Sequence, residues 1–383
     1  MRWARPSSHQ NLHQHQHHPK TPQTHRPKSN SLQPLFLTNQ SSTSTTNTPN
    51  PNPHHQQWLP LFGKAPQPFP LFPNKTLTPP RLVTGSTSGI GKAVIQEIVA
   101  RGDKVIATGR KVESRLGALK SPSLALLELD ISAPLSTITA QIQTAWSIFG
   151  HIDILLNNAG MSAMCTAEEA SDTLINTMFT INLFGPMHVT QAILPLFRAQ
   201  GSGIIAFTSS STAWTSLPFM GAYAASKAAL SSYVESLHNE IRPLGLKAVA
   251  FECGGFPTHL GQPREEGPAS AVQGSAIPDY LPQLGKLGGM FASNMELYMP
   301  GDLEKVGPRL VDVVKREGVA AGKPWAVRVC LGSDGWEMAK TKVTEVATVL
   351  DAWKDVAAST DRDSHPGGTT KEYLSFVTLL GEE

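Results

Sequence analysis

The sequence predicts an α/β fold, a doubly wound parallel sheet held between two layers of helices in a three-layer αβα arrangement. Three observations predict it. From residue 81 onward, short β-branched or Leu-rich runs alternate with helical stretches, the pattern of repeated βαβ units. A glycine-rich segment follows the first of those runs directly and leads into a helix. The chain has 383 residues, 40% of them hydrophobic and 16% charged, enough to bury a full core.

The strands are expected at Arg81–Thr84, Lys104–Thr108, Ser123–Leu129, Ile152–Leu156, Gly203–Thr208 and Lys247–Glu252, with a last one near Trp325–Cys330. Between the first two, Lys92–Ala100 places Val94, Ile95, Ile98 and Val99 at helical spacing. Ala224–Ile241 reads as a long helix that ends before Pro243, whose ring would clash with the preceding turn. Pro79 and Pro80 stand where the first strand would begin, so that strand should be short, with proline at its very start.

Residues 1–78 differ in kind. They are rich in His, Gln, Pro, Ser, Thr and Asn, and proline recurs too often for regular structure, so this stretch is expected to be a disordered low-complexity tail and 79–383 the globular domain. The tail holds seven of the 32 basic residues and no acid, leaving 25 basic against 30 acidic residues in the remainder. A slightly acidic body gives no reason to expect a nucleic-acid partner. His13, His15, His17 and His18 come without carboxylates or cysteines and read as solvated sequence rather than a metal site. No apolar run is long enough to span a bilayer, and Cys165, Cys253 and Cys330 form no disulfide framework or ligand cluster. A soluble, cytoplasmic protein is expected; the basic, acid-free tail leaves mitochondrial targeting open, although its prolines interrupt the amphipathic helix such a signal uses.

The turn Thr84-Gly85-Ser86-Thr87-Ser88-Gly89-Ile90-Gly91 carries the first chemical signal. Gly85 permits a tight turn, Gly89 lets the backbone approach a pyrophosphate, and Gly91 allows close packing of helix on sheet, while Ser88, Gly89 and Ile90 lie at a helix N-terminus that presents N–H groups to an anion. Downstream, Tyr223 and Lys227 are spaced i, i+4 on one helix face, and Ser210 lies thirteen residues before Tyr223 at the carboxyl end of a strand. Taken singly, each motif has a structural reading. A Tyr-x-x-x-Lys pair packs on many helix surfaces, Asn158 caps a turn, and Ser210 satisfies backbone groups.

Their order along the chain is what resembles the short-chain dehydrogenase/reductase family, over about Arg81 to Asp361. The Gly-x-x-x-Gly-x-Gly spacing is similar to that family's cofactor turn. Asp130, Asn157-Asn158-Ala159-Gly160, the helix containing Asn182, Thr208-Ser209-Ser210 and Tyr223-Ala224-Ala225-Ser226-Lys227 then follow in the family's sequence. The resemblance implies a Rossmann-type domain with Asn182, Ser210, Tyr223 and Lys227 as the catalytic set. Tyr223 would exchange the proton, Lys227 would lower its pKa and bind the nicotinamide ribose, Ser210 would orient the substrate oxygen, and Asn182 would hold a water through its side chain or backbone. Gly85, Ser88, Gly89, Ile90, Gly91, Asp130, Asn158, Ala159, Gly160 and Thr258 would join Tyr223 and Lys227 in holding the dinucleotide. A phenol of pKa about 10 needs roughly 4 kcal/mol of preference for phenolate to work near neutrality, and a neighbouring ammonium is the expected source.

Cofactor choice is read at the end of the second strand. Arg110, followed by Lys111, stands where NAD-selective sites carry an acid, and an arginine fork suits a 2′-phosphate, so NADP(H) is expected over NAD(H); the bland alternative is an arginine stacked over adenine. Cys253-Gly254-Gly255-Phe256-Pro257-Thr258 is similar to the family's Pro-Gly-x-Val-x-Thr loop with Cys253 in place of proline. The long stretch Leu260–Met299 supplies Tyr280, Leu284, Met290, Phe291 and Tyr298, suited to an apolar ketone or alcohol as a substrate lid over 260–300, and equally to ordinary core filling. The resemblance also implies a homo-oligomer. The rival readings are a non-catalytic dinucleotide-binding regulator on the same fold, and a sugar-nucleotide epimerase, whose glycine spacing differs.

Overall fold

The computed structural model describes residues 79–258, 260, 275–364, 369, 373 and 374. The expected tail, residues 1–78, lies outside the described residues, as do 259 and 261–274 of the expected lid.

Seven parallel strands form one sheet in the order β3-β2-β1-β4-β5-β6-β7. They are β1 (Arg81–Val83), β2 (Val105–Gly109), β3 (Leu124–Glu128), β4 (Ile154–Asn157), β5 (Gly203–Ser210), β6 (Leu246–Cys253) and β7 (Arg328–Leu331). The intervening helices are α1 (Gly89–Ala100), α2 (Val112–Leu116), α3 (Leu135–Phe149), α4 (Asp172–Phe179), α5 (Gly185–Gln200) and α6 (Gly221–Ile241). After β6 come α7 (Leu281–Ser293), α8 (Met295–Tyr298), α9 (Leu303–Lys315), α10 (Ser333–Ala352) and α11 (Lys354–Ala358). The strand order reverses between β1 and β4, so the carboxyl ends of these two strands open the crevice in which doubly wound sheets take ligands.

The sheet is apolar on both faces because helices cover both. One face packs Leu82, Ile106, Leu155, Ile205 and Phe207 against α3, α5 and α6 through Ile138, Ile142, Val189, Phe197, Leu230 and Val234. The other packs Val83, Val105, Leu156, Val249 and Phe251 against α1 and α9 through Val94, Ile95, Ile98, Val306 and Leu310. α9 approaches α1 so closely that a Cβ on Gly307 would sit 2.7 Å from the Ala93 carbonyl oxygen.

The short first strand has the cause expected of it. Proline cannot donate to a ladder, so pairing begins at Arg81, while the Pro80 carbonyl accepts from Asp153 N–H. The buried Arg81 guanidinium is balanced by Asp103, which Lys315 on α9 also reaches at 3.3 Å. This ion pairing ties the start of the central strand to the helix layer, where an unpaired charge would be costly.

Candidate active site

Gly85 and Gly89 adopt φ of 65° and 52°, values that favour glycine, and carry the chain from β1 into α1. A Cβ on Gly91 would lie 2.3 Å from the Gly85 carbonyl oxygen and 2.5 Å from Asn158 Nδ2. One on Gly85 would lie 2.7 Å from Ala159 Cα. The turn is therefore closed around bare backbone, and the N–H groups at the start of α1 face the cleft without a side-chain cap from Ser88. Asn158 acts as its brace. Its Nδ2 donates to the Thr84 and Gly85 carbonyls at 3.1 Å, and its Oδ1 accepts from Thr208 Oγ1.

A cleft of about 440 Å³ runs from this turn across the carboxyl ends of the strands. Gly85, Ser88, Gly89 and Ile90 line one wall, with Asn158, Ala159 and Gly160 below them. At one end stand Arg110 and Asp130, and at the other Ser210, Tyr223, Lys227 and Thr258. Gly91 and Asn182 are not on the wall. Gly91 lies behind the turn, and Asn182 is fully buried. Thr258 faces the glycine turn, since a Cβ on Gly89 would meet its Cγ2 at 3.1 Å. The Asp130 carboxylate accepts from the N–H and hydroxyl of Ser132 at 2.9 and 2.6 Å, so it shapes its own turn just beyond β3.

Sequence reasoning missed Arg115, which lines the cleft beside Arg110 and Lys111. Its position on α2, one turn from Lys111, was the available signal. It also gave no sign of Thr87 and Ser132 on the wall. Of the expected lid, Leu260 alone among the described residues lines the cleft. Leu281, Met290 and Met295 on α7 and α8 are exposed, while Leu287 is buried and Met299 and the Tyr298 carbonyl pack against Gly255.

Tyr223 and Lys227 share the buried face of α6. Lys227 Nζ donates to the Thr208 carbonyl at 2.8 Å. Burial pulls the Lys227 ammonium down to about 8. Burial also pushes the Tyr223 phenol up to about 12, against the lowering effect of its hydrogen bond with Ser210. That direction is opposite to the one expected from a neighbouring ammonium: desolvation sets it, and the lowering effect comes from Ser210. The phenol therefore holds its proton at neutral pH. Cys253, at the end of β6 where proline was expected, is buried with its thiol pushed up to about 12, chiefly by burial, and is no nucleophile.

The chain around Asn182 winds as a π-helix over Thr180–Phe184 between α4 and α5. Asn182 Nδ2 donates to the Met161 carbonyl at 2.9 Å and to Ser226 Oγ at 3.0 Å, while its Oδ1 accepts from Met161 N–H at 2.8 Å. Both Nδ2 hydrogens are used in these bonds, while Oδ1 keeps a second lone pair, so the expected water contact is open to the side-chain oxygen and to the backbone.

The sequence profile described as short chain dehydrogenase matches residues 81–269, from β1 through the strand and loop that complete this cleft. Residues 81–269 thus form a segment of the short-chain dehydrogenase/reductase type. The parallel sheet is the Rossmann-type sheet of that family. Similar proteins include an NADPH-dependent 1-acyldihydroxyacetone phosphate reductase of Saccharomyces cerevisiae, 33% identical over 187 residues that make up 48% of this chain and 63% of the relative. A 3-ketodihydrosphingosine reductase of Bacteroides thetaiotaomicron is 32% identical, over 46% of this chain and 64% of its own. The chain thus spans less than two thirds of the length of these relatives. The crystal structure of a short-chain dehydrogenase from Streptomyces avermitilis is similar with a TM-score of 0.65 at 28% identity, covering 75% of this chain and all of that one. Among the described residues, no helix is long and apolar enough to cross a membrane, and no group of three or more His, Cys, Asp or Glu side chains is arranged to hold a metal ion.

Proposed function

We propose that this chain is an NADPH-preferring reductase that interconverts a carbonyl and an alcohol, with Tyr223 as the proton donor. The observation that carries the reading is that Ser210, Tyr223 and Lys227 line the same cleft as the glycine turn, and that all three are buried. The cradle fits a dinucleotide: the closely approached glycines leave room for no side chain, and the N-terminus of α1 favours an anion. When bound, the nicotinamide exchanges a hydride with the substrate carbon.

The protein's own groups do the rest. Ser210 donates a hydrogen bond to the substrate oxygen and so polarises the carbonyl. Tyr223, its proton retained by burial, gives that proton to the same oxygen. Lys227 places a positive charge beside the phenolate that this leaves behind. Asn182, through its side-chain oxygen or its main chain, supports proton resupply. Ser210, Tyr223 and Lys227 are each buried, which strengthens each electrostatic contact.

Arg110, joined by Lys111 and Arg115 at one end of the cleft, supports the choice of NADPH, as does the name of the yeast relative. Both named relatives are reductases of ketone-containing compounds, which supports a ketone substrate; an apolar one rests on the side chains of 280–299. A reducing, cytoplasmic setting agrees with three free cysteines. Self-association, implied by the family resemblance, is read by sedimentation.

The test follows NADPH consumption over a panel of ketones and aldehydes graded in size and polarity. Tyr223→Phe should abolish turnover while NADPH still binds; full turnover in that variant removes Tyr223 from the mechanism. Arg110→Ala should weaken NADPH binding about tenfold or more and leave NADH nearly unchanged, since a charge-assisted phosphate contact contributes about 1.5–3 kcal/mol. An unchanged preference defeats the assignment of Arg110.

A further inference from the structure

β5 ends on Ser210, and the chain then makes one 3₁₀ turn, Ser211–Ala213, before Trp214. Within that turn the Thr212 N–H donates to Ser210 Oγ at 3.2 Å. A hydroxyl oxygen that accepts from one side carries its own proton away from that donor. The Ser210 proton is thereby directed toward the Tyr223 phenol, with which it hydrogen bonds, and toward a substrate oxygen entering between them.

The turn is held from behind by a polar cluster that the catalytic reading does not use. Trp214 N–H donates back to the Ser211 carbonyl at 3.0 Å, and its indole Nε1–H donates to Glu252 Oε2. Glu252 is 0% exposed on β6. Its other oxygen accepts from Arg328 Nε at 2.7 Å and from Ser231 Oγ at 2.9 Å. Arg328 lies with its guanidinium carbon 3.8 Å from the centre of the Trp214 ring and also bonds Glu235 at 2.9 Å. Ser231 Oγ is 2.8 Å from the hydroxyl of Ser209, the neighbour of Ser210, and Ser209 donates to the Lys227 carbonyl at 3.3 Å. One buried carboxylate thus connects β7, β6, α6 and the turn that follows Ser210. The indole is gripped at its edge by Glu252 and over its face by Arg328, so it has little freedom to rotate.

We propose that Trp214, clamped by Glu252 and Arg328, is a positioning residue: it fixes the 211–213 turn so that the Thr212 N–H aims the Ser210 hydroxyl at the substrate oxygen. This rests on the catalytic reading of Ser210 above. A buried carboxylate needs its donors in place, and here they come from the chain that follows Ser210, from α6 and from β7.

The experiment is a double-mutant cycle on kcat, with NADPH and the carbonyl compound of the panel that turns over fastest. Trp214→Phe keeps a ring over Arg328 and deletes only the indole donor. It should lower kcat about tenfold and leave the KM for NADPH within twofold, the split expected of a group felt only in the transition state. Ser210→Ala alone should cost about a hundredfold, and Trp214→Phe should add nothing to it, because residues acting through one another are not additive. NADPH fluorescence on binding checks that each variant is folded. Should Trp214→Phe not be soluble, Thr212→Pro carries the same test, since it removes the donor N–H at Ser210 and leaves the Glu252 cluster untouched. An unchanged kcat in Trp214→Phe, or the same tenfold loss on the Ser210→Ala background, overturns the positioning role while the reading of Ser210 stands. Full turnover in Ser210→Ala overturns that reading and this inference with it.

Discussion

Lys227 sits in the fold at a cost, and removing its charge should make the protein more stable and inactive together. The residue is 3% exposed, and its pKa falls from 10.5 to about 8 on folding. At pH 7 that difference disfavours the folded state by about 3 kcal/mol, at 1.36 kcal/mol per unit. Lys227→Met keeps an unbranched chain of similar length and loses the hydrogen bond to the Thr208 carbonyl at 2.8 Å, worth about 1 kcal/mol. The variant should therefore be stabler by about 2 kcal/mol at pH 7. The sign with pH follows from proton binding. Between about 8 and 10.5 the unfolded chain holds the Lys227 proton and the folded chain has released it, so stability of the parent rises through that window. The penalty is fully present below about 8 and nearly gone by pH 10, where the lost hydrogen bond cancels what remains of the gain. Urea unfolding of parent and variant at pH 7 and at pH 10, without added dinucleotide, measures both differences. A variant weaker than the parent at pH 7, or an equal gain at both pH values, refutes the reasoning.

Two other perturbations test different parts of the structure. Gly91→Ala drives a methyl group to 2.3 Å from the Gly85 carbonyl, which belongs to rigid backbone, so the turn must open; NADPH affinity should fall about a hundredfold or more, roughly the 3 kcal/mol of an overpacked contact, and wild-type fluorescence titration would contradict this. His238 accepts the Ala248 N–H on Nδ1, and burial pulls its pKa down to about 4 from 6.5. Its folded form thus stays neutral while the unfolded form protonates, so the parent should lose stability as pH falls from 6.5 toward 4. His238→Asn should flatten that slope in urea titrations, and an unaltered slope would assign the acid loss to other groups.

The fold was legible because its signals are local. Strands came from β-branched runs that are buried on both faces, and β1 is cut short where Pro79 and Pro80 lack donors, as expected. Helix starts were read late for a physical reason. α1 begins at Gly89 rather than Lys92, and α6 at Gly221 rather than Ala224, because glycine and alanine at a helix entrance give no apolar period to detect. The π-helix at Thr180–Phe184 has no sequence signature of its own, so the bonds that tie the Asn182 side chain to Met161 and Ser226 were out of reach. The exposure of Leu281 and Met290 was likewise hidden, since an apolar residue does not announce which neighbour will cover it.

The site divides along the same line. Motif spacing brought Ser210, Tyr223 and Lys227 into view because each lies at a fixed offset on one strand end or one helix face. Glu252 and Arg328 were invisible, being 76 positions apart and joined only by the pairing of β6 with β7. What spacing cannot supply is the protonation state, which depends on burial. With the phenol at about 12 and the ammonium at about 8, the protein below pH 8 carries the proton on Tyr223 and the charge on Lys227. That is the form that donates to a carbonyl oxygen. Alcohol oxidation asks instead for a phenolate, which burial opposes, and raising the pH toward it first strips the ammonium that would support it. The same desolvation that shapes the cleft therefore biases the proposed reaction toward reduction at neutral pH.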